Sequence, residues 1–305
     1  MRILLQFPEG LKQGALSIAK RLEAKGHSVF LSSSPCYGAC DIAFSQAKAI
    51  GAKKIIHYGH AEFPLGKTPV PVEFVESRSD ADFKPVLSLA LKDAEFAKCR
   101  KVGIVTTVQH VGQLKGIRAF LERHGKKVLV GRHGKLAKYN GQVLGCDAGS
   151  ASSIDAKADC VLYFGGGAFH PIAVALACDK RVLSADPFSG RVSWLDDERR
   201  KHEKRRMGLL ALGMQAKSFG ILVSTKPGQT HLKPAEALKK RLEKAGRQAA
   251  ILVADRIEPE ALANFRSFDF FVNTACPRIA IDDYSGFGKP IINLSDAAEL
   301  VKLLK

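Results

Sequence analysis

The organisation of the chain is clearest in the stretch Phe268-Asp269-Phe270-Phe271-Val272-Asn273-Thr274-Ala275-Cys276-Pro277-Arg278. Its apolar run, 270–272, predicts a buried strand, and Pro277 ends this strand because proline has no N–H to donate to a neighbour. Cys276 is therefore predicted at the carboxyl end of a strand, which is the edge where open α/β sheets bind ligands. A buried structural thiol is the alternative interpretation, since cysteine is often fully buried.

A pattern of strand, helix, strand, helix and strand occurs three times along the chain, and each copy is about a hundred residues long. The first strands of the three copies are predicted at 3–7, 102–106 and 220–224. This alternation predicts parallel strands joined by right-handed crossovers. The predicted fold class is α/β, with three tandem related domains, each a small parallel sheet flanked by helices. The predicted domains are 1–100 with Cys40, 101–215 with Cys146, and 216–305 with Cys276.

Local signals predict where several helices begin and end. The segment 36–41 is predicted to open a helix that runs to Ala49, and Ser295 is predicted to cap the last helix. The basic run 199–206 follows three acidic residues, which suit a helix N-terminus, and it is predicted to form a solvated helix face.

Composition narrows the class of protein. The chain has 305 residues, of which 46% are hydrophobic, so it can bury a substantial core. No apolar run approaches the roughly 20 residues of a membrane span, and the apolar part of the N-terminus is too short for a signal peptide. We therefore expect a cytoplasmic protein without a membrane partner. Seven cysteines without an export signal do not suggest a disulfide framework.

The charge of the chain is strongly basic. Its 47 lysines and arginines exceed its 30 acidic residues and give a formal charge of +17. Such an excess favours an acidic or nucleic-acid-rich partner, although a salt-rich cytoplasm or a bias of the lineage would also produce it. A basic module that binds RNA or a ribonucleoprotein without catalysis is therefore one hypothesis for the function.

Two cysteines occupy equivalent places in their repeats. Cys40 lies 18 residues before Tyr58, Cys146 lies 18 residues before Phe164, and an aspartate follows each cysteine. Both follow the second strand of their repeat, whereas Cys276 follows the third strand of its own. Three thiolates from three repeats suit a metal better than a disulfide. An iron–sulfur cluster normally takes four cysteines, so three would leave one iron open to a substrate.

The remaining cysteines fit this pattern less well. Structural zinc usually shows closely paired cysteines, and the chain has no pair separated by two residues. Cys36 and Cys40 are separated by three residues, but Ala43 stands where the usual radical adenosylmethionine signature needs a third cysteine. Cys36 is left open between packing and chemistry. The cysteines assigned to packing, because their surroundings are apolar or helical, are Cys99, Cys160 and Cys178.

Motifs along nearly the whole chain carry a resemblance to a known family, and they occur in the family's order. They are Gln6-Phe7-Pro8-Glu9-Gly10-Leu11, Tyr37-Gly38-Ala39-Cys40, His57-Tyr58-Gly59-His60, Gly103-Ile104-Val105-Thr106-Thr107-Val108-Gln109, Leu144-Gly145-Cys146, Phe164-Gly165-Gly166-Gly167-Ala168-Phe169-His170, Ala185-Asp186-Pro187-Phe188-Ser189 and Ala275-Cys276-Pro277-Arg278-Ile279-Ala280-Ile281-Asp282. On these motifs the chain resembles the archaeal enzymes of diphthamide biosynthesis, the 2-(3-amino-3-carboxypropyl)histidine synthases.

The resemblance implies a [4Fe–4S] cluster at the centre of three domains, held by one cysteine from each. On the matched motifs these ligands are Cys40, Cys146 and Cys276, the three that the spacing singles out. It also implies that S-adenosylmethionine binds the open iron and is cleaved between its sulfur and its γ-carbon. The products would be methylthioadenosine and a 3-amino-3-carboxypropyl radical, which adds to a histidine of translation elongation factor 2. This is a transferase reaction, the first step of diphthamide biosynthesis, and it needs no side-chain nucleophile.

The contacts to S-adenosylmethionine are predicted from the loops beside the cysteines. Gln229 lies in a loop where the family has a glutamine, and it is predicted to bind the amino-acid end. Gly59, Gly165 and Gly166 are predicted at strand ends, where glycine lets the backbone approach a ligand closely. An ordinary tight turn is the alternative explanation for these glycines. His60 is either a site residue or a core histidine, and Arg278 either meets a carboxylate or is a surface arginine. The cofactor contacts predicted in this way are Gln229, Gly59, His60, Gly165, Gly166 and Arg278.

The resemblance further implies a homodimer, an external electron donor and elongation factor 2 as the protein substrate. A partner subunit that has lost its chemistry within a heteromeric transferase is another hypothesis, but the presence of all three cysteines favours a competent enzyme. The RNA-binding hypothesis explains the positive charge and leaves the three cysteines unexplained.

Overall fold

The first of three parallel sheets occupies the N-terminal third of the chain, in a computed structural model that describes residues 1–304. Its strand order is β2-β1-β3-β4, and all neighbours are parallel. The strands are β1 (Arg2–Gln6), β2 (Ser28–Leu31), β3 (Lys54–Gly59) and β4 (Val72–Glu76). The helices around it are α1 (Ala15–Glu23), preceded by a 3₁₀ turn at Glu9–Gly14, and α2 (Phe44–Ala49).

The second sheet repeats this order and adds an edge strand. Its order is β6-β5-β7-β8-β9, and the last pair, β8 with β9, is antiparallel. The strands are β5 (Lys101–Thr106), β6 (Lys127–Val130), β7 (Cys160–Phe164), β8 (Val182–Asp186) and β9 (Arg191–Trp194). The helices are α3 (Lys84–Lys92), α4 (Ala94–Lys98), α5 (Leu114–Arg123), preceded by a 3₁₀ turn at Val111–Gln113, α6 (Gly149–Asp155) and α7 (Phe169–Ala177).

The third sheet has the same order again, β11-β10-β12-β13, and is wholly parallel. Its strands are β10 (Ser218–Ser224), β11 (Gln248–Ala254), β12 (Phe270–Asn273) and β13 (Ile291–Asn293). The helices are α8 (Asp196–Gln215), α9 (Leu232–Lys244), α10 (Pro259–Ala263), α11 (Arg278–Ile281), a 3₁₀ turn at Tyr284–Gly286, and α12 (Leu294–Leu303). The predicted α/β class with three tandem sheets is therefore confirmed.

Apolar side chains cover both faces of each sheet, which is why the strands read as continuous apolar runs. In β1, Ile3 and Leu5 pack into one buried cluster, whereas Leu4 between them packs into another on the opposite face. The second and third sheets likewise have two clusters each. Glycine ends the first helix: Gly26 follows α1 with a φ of 80°, a left-handed conformation that other residues rarely adopt.

Contacts group the chain into two compact units, Met1–Asp196 with the first two sheets and Asp197–Lys305 with the third. The predicted three-domain boundaries near residues 100 and 215 remain a prediction. Among the described residues, no helix combines the length and the apolar character that a membrane span requires.

Two local predictions are wrong. The helix predicted from 36–41 begins only at Phe44, because backbone groups of Asp41 and Ala43 are bound by a side chain from β1. Ser295 does not cap the last helix: α12 begins at Leu294, and the residue before it, Asn293, makes no side-chain cap hydrogen bond.

The basic run 199–206 lies in α8 and is a solvated face only in part. Arg200 is exposed, as predicted. The guanidinium of Arg205, however, lies 3.6 Å from the centre of the Tyr284 ring and donates to the carbonyl oxygen of Ala280 at 2.7 Å. Arg206 donates to the carboxylate of Asp296 at 2.7 Å. The second half of the run therefore holds α8 to its own unit.

Candidate metal centre

The three sheets share a strand order that places a crevice at the same point of each. The first and third strands of every repeat are central neighbours, β1 with β3, β5 with β7, and β10 with β12. The chain leaves the first strand toward one side of the sheet and later continues on the other side. Such a switch point opens a crevice at the carboxyl ends of the central strands.

The three predicted cysteines lie in loops at these carboxyl ends. Cys40 lies in the loop 32–43 between β2 and α2, and Cys146 in the loop 131–148 between β6 and α6. Cys276 lies directly after β12 and before α11. These positions agree with the predicted ones. Cys40 and Cys276 are half-buried, and Cys146 is exposed.

Gln6 holds the loop that carries Cys40. It is the last residue of β1 and its side chain is buried. Its Nε2 donates to the carbonyl oxygen of Asp41 at 2.6 Å, and its Oε1 accepts from the backbone N–H of Ala43 at 3.1 Å. Both backbone groups lie within three residues after Cys40, so one amide on a central strand fixes the loop.

Two histidines continue this network, His57, which is buried, and His60, which is half-buried. His57, in β3, is the register partner of Gln6 in β1, and its Nδ1 lies 3.2 Å from the Gln6 Oε1. Because that oxygen can only accept, Nδ1 of His57 carries the proton and Nε2 does not. Nδ1 of His60 lies 2.9 Å from this Nε2 and donates to it. The ring of His60 therefore belongs to this hydrogen-bond network, and whether it is a site residue or a core histidine stays a prediction.

Burial keeps both rings neutral. Burial and the neighbouring His60 lower the pKa of His57 to about 3. Burial also lowers the pKa of His60, although a hydrogen bond to the Tyr58 backbone opposes this shift. Both imidazoles are therefore uncharged at neutral pH and present nitrogen lone pairs.

The loop that carries Cys146 is held by its own aspartate. Asp147 Oδ2 accepts from the backbone N–H of Leu136 at 2.6 Å and from that of Ala137 at 3.3 Å. Its Oδ1 accepts from the N–H of Gly149 at 2.9 Å. Glycine is required at position 145, because a Cβ there would lie 1.7 Å from the ring of Phe169. The cysteine is thus exposed on a backbone that is itself fixed.

The loop with Cys146 also contacts the segment that follows His60. Lys138, in this loop, lies 3.5 Å from the carboxylate of Glu62. The hydroxyl of Tyr139 donates to Glu76, at the end of β4, at 2.7 Å. These contacts join the carboxyl edges of the first and second sheets within their unit.

Asn273 holds the loop that carries Cys276. It is the last residue of β12 and is buried. Its Nδ2 donates to the carbonyl oxygen of Cys276 at 2.8 Å and to Oδ1 of Asn293 at 2.8 Å, while its Oδ1 accepts from the N–H of Ala275 at 3.1 Å. A buried amide at the end of a central strand therefore holds this loop, as Gln6 does in the first sheet.

The predicted cofactor contacts lie at the carboxyl edges of their own sheets. Gln229 is buried in the turn after β10, where its backbone N–H donates to the carbonyl oxygen of Lys226 at 2.9 Å. Arg278 is exposed and pairs with Asp282 at 3.2 Å. The burial of Asp282 raises the pKa of its carboxyl group, and Arg278 opposes that shift. A role of these residues in cofactor binding stays a prediction.

The predicted strand-end glycines have close protein neighbours. Gly59 has a φ of 91°, and a Cβ on it would lie 2.8 Å from Pro8. Gly165 has a φ of 149°, and a Cβ on Gly166 would lie 2.8 Å from Phe188. Tight turns and close packing therefore account for glycine here, and an added role beside a ligand remains a prediction.

The assignment of three cysteines to packing is confirmed. Cys160 and Cys178 are buried in the clusters on the two faces of the second sheet, and Cys99 packs against the cluster of Cys160. Burial and a hydrogen bond with Cys99 raise the pKa of the Cys160 thiol, so it stays protonated. No disulfide joins any of the seven cysteines in residues 1–304.

Comparisons with known proteins agree with this geometry. The family model of diphthamide synthesis proteins matches residues 7–303. The 2-(3-amino-3-carboxypropyl)histidine synthase of Pyrococcus horikoshii is 37% identical over 303 residues, which are 99% of this chain and 86% of that protein. The protein of the same name from Methanocaldococcus jannaschii is 29% identical, over 95% of this chain and 81% of its own length.

A solved structure extends the similarity to three dimensions. It is the crystal structure of Dph2 from Pyrococcus horikoshii with a 4Fe-4S cluster, and it matches with a TM-score of 0.90 and 35% sequence identity. The match covers 99% of this chain and 86% of that one. The resemblance drawn from the sequence motifs is thereby confirmed. The chain belongs to the family of diphthamide synthesis proteins.

Proposed function

We propose that this chain is a 2-(3-amino-3-carboxypropyl)histidine synthase, the activity that its archaeal relatives are named for. It would transfer a 3-amino-3-carboxypropyl group from S-adenosylmethionine to a histidine of translation elongation factor 2, as the first step of diphthamide synthesis. One observation carries the proposal: in a member of this family, each of three sheets has a cysteine in a loop at its carboxyl edge.

Cys40, Cys146 and Cys276 are the residues proposed to hold a [4Fe–4S] cluster. The donor set fits, because cysteine thiolates are the usual ligands of such clusters and none of these three cysteines is buried in an apolar core. When bound, the cluster supplies the electron that cleaves the bond between the sulfur and the γ-carbon of S-adenosylmethionine.

The backbones that carry these cysteines suit a rigid ligand set. Gln6 and Asn273 are buried amides that fix two of the loops, and the carboxylate of Asp147 fixes the third. A cluster whose ligands come from distant parts of the chain needs loops whose positions do not depend on the cluster itself. Three loops fixed by hydrogen bonds within their own units meet that need.

The other proposed contributions of the chain are to bind and orient S-adenosylmethionine and to exclude water. Gln229 is proposed for the amino-acid end of this co-substrate, because its side chain is buried at the carboxyl edge of the third sheet. Arg278, in α11 two residues after Cys276, is proposed to bind a carboxylate, with Asp282 as its partner before binding. The remaining residues proposed beside the co-substrate are Gly59, His60, Gly165 and Gly166.

The proposed setting of the reaction is a homodimer in the cytoplasm with an external electron donor. The protein substrate would be elongation factor 2, whose acidic regions suit the charge of +17 on this chain. No side-chain nucleophile is proposed, and no residue outside the cluster ligands is given a catalytic role.

An anaerobic assay tests the proposal. The full-length protein would be reconstituted with iron and sulfide and mixed with dithionite, S-adenosylmethionine and archaeal elongation factor 2. We expect mass spectrometry to find one 3-amino-3-carboxypropyl group on a histidine of the factor, and methylthioadenosine in equal amount. Release of 5′-deoxyadenosine instead, or an unmodified factor, would contradict the proposal.

Two matched variants separate chemistry from folding. Cys40→Ala removes a proposed cluster ligand and is expected to abolish the product. Cys178→Ala removes a thiol that is buried in an apolar cluster and is expected to keep the activity. Equal activity of the two variants would remove the assignment of Cys40.

A further inference from the structure

Cys36, His57 and His60 form a group of metal-ligand side chains outside the proposed cluster set. One ligand atom of each residue lies within 4.8 Å of those of the other two. Cys36 and His57 are buried, and His60 is half-buried. Cys36 belongs to the loop of Cys40, whereas the two histidines lie at the end of β3 and just after it. The group therefore spans two elements at one edge of the first sheet.

The surroundings of His57 resemble those of a metal-binding histidine. In protein metal sites, a ligating imidazole usually donates its second N–H to a carbonyl or carboxylate oxygen, which fixes the tautomer. Nδ1 of His57 donates in this way to Oε1 of Gln6 at 3.2 Å. Its unprotonated Nε2 is therefore directed away from Gln6 and toward His60, whose Nδ1 lies 2.9 Å away.

We propose that Sγ of Cys36, Nε2 of His57 and Nδ1 of His60 bind one divalent metal ion from the late first transition series, such as Zn²⁺. Ligand atoms on one tetrahedral zinc ion lie roughly 3.3–3.8 Å apart, given metal bonds of about 2.0–2.3 Å. The two nitrogens must separate slightly from 2.9 Å. The three residues offer ligand atoms within 4.8 Å of one another, so no pair of these atoms is far from the separation that zinc needs.

The chemistry of the donor set selects the class of ion. One thiolate and two imidazoles favour zinc, cobalt or copper over magnesium and calcium, which prefer oxygen. Binding releases the thiol proton of Cys36 to solvent, and the Nδ1 proton of His60 moves to its Nε2. Three protein ligands leave a fourth position open, and the partial exposure of His60 gives the ion a path from solvent.

The bound ion would clamp the loop 32–43 to the end of β3. Cys36 lies four residues before Cys40 in this loop, so the ion would act on the same backbone that Gln6 fixes. This inference does not rest on the proposed transferase activity, because none of the three proposed cluster cysteines is a ligand here. His60 is also among the residues proposed beside S-adenosylmethionine, and the ion would fix its ring there.

Cobalt titration tests the site in full-length protein whose Cys40, Cys146 and Cys276 are all replaced by alanine, because these three proposed cluster thiolates would themselves bind Co²⁺. The protein would be prepared aerobically, treated with a chelator, reduced, and titrated with Co²⁺. We expect one ion per chain with the visible spectrum of tetrahedral cobalt and a near-ultraviolet band from thiolate to cobalt, both removed by one equivalent of Zn²⁺. Cys36→Ala should abolish the thiolate band and weaken binding by at least about 100-fold, beyond the 10–100-fold cost of a lost outer ligand partner.

Two further variants keep the result clear. Cys178→Ala in the same background removes a thiol that is buried in an apolar cluster, and it should retain the thiolate band. His60→Gln should weaken binding while circular dichroism shows an intact fold. A thiolate band that survives in Cys36→Ala, or that disappears in Cys178→Ala, would overturn the proposal, as would the absence of stoichiometric cobalt. Iron content of separately reconstituted native protein reports the cluster, so failure of either site is distinguishable from failure of the other.

Discussion

The loops that carry Cys40 and Cys146 are held by different means, although they occupy the same place in neighbouring sheets. A buried amide on a central strand, Gln6, holds the first loop from outside. The carboxylate of Asp147, a half-buried residue of the second loop itself, holds that loop from within. The difference suggests that the first loop depends on the core of its sheet and the second largely on local geometry.

The third sheet follows the first in this respect. Asn273 ends a central strand, is buried, and binds backbone groups of Ala275 and Cys276 in the loop that begins there. Two of the three loops are thus fixed by an amide that water cannot replace. The unfolding free energy that is lost when the side chain holding a loop is removed should therefore differ between the loops.

The comparison predicts a large difference between Gln6→Ala and Asp147→Ala. Removing Gln6 leaves the buried Asp41 carbonyl, the partly buried Ala43 N–H and Nδ1 of His57 without their partner and creates a cavity, so the unfolding free energy should fall by about 3 kcal/mol. Removing Asp147 exposes N–H groups that water can reach, so the loss should be about 1 kcal/mol. Urea unfolding of both variants under the same conditions measures the difference. Equal losses of unfolding free energy would contradict the proposed difference between the two loops.

Asn273→Asp gives a sharper test of the third loop. The substitution keeps the size of the side chain but places an oxygen where Nδ2 now faces two acceptors, the Cys276 carbonyl and Oδ1 of Asn293. We expect the unfolding free energy to fall by about 2 kcal/mol, because each of the two hydrogen bonds is replaced by two acceptor oxygens that face each other in a buried place. Asn293→Ala is the control. It removes one of these two contacts and the hydrogen bond from Asn293 Nδ2 to the carbonyl oxygen of Pro277, but it brings no two buried acceptors together, so it should cost less. An unchanged stability of Asn273→Asp would show that the amide does not hold the loop.

A smaller effect is expected from the buried histidine at the edge of the second sheet. Burial lowers the pKa of His110 from 6.5, although a hydrogen bond to Gln113 and the charge of Asp186 oppose the shift. The unfolded chain then binds this proton more readily than the folded one, so stability should fall as the pH drops through 6.5. In His110→Phe, which keeps an aromatic ring beside Phe164, the fall in unfolding free energy between pH 7 and pH 5 should be smaller. An identical pH dependence would contradict this.

Much of this architecture follows from local sequence signals. The central strands are apolar runs, and Gly26 and Gly125 lie just after helices in the left-handed conformation that favours glycine. Both are short-range features of the sequence. The antiparallel strand Arg191–Trp194 was not predicted, because its short run of alternating burial carries a weak signal and its place depends on pairing with β8.

The site was predictable only where chemistry coincides with position along the chain. Cysteine spacing and the strand ends placed Cys40, Cys146 and Cys276 in their loops. The roles of Gln6 and Asn273 were missed: the partners of Gln6 lie 35, 37 and 51 residues away, and nothing local distinguishes it from any polar residue that ends a strand. The only available signal was a polar side chain at the end of an otherwise apolar central strand. Such a side chain is expected to be buried and therefore to need a hydrogen-bond partner.

Whether Cys40, Cys146 and Cys276 hold a cluster is tested most directly by the iron and sulfide content of single cysteine variants, purified and reconstituted without oxygen. We predict about four iron atoms per chain in the native protein and in the variants of Cys36, Cys99, Cys160 and Cys178. Cys40→Ala, Cys146→Ala and Cys276→Ala should each lose the cluster or hold it unstably. A full, stable cluster in any one of these three variants would contradict the account.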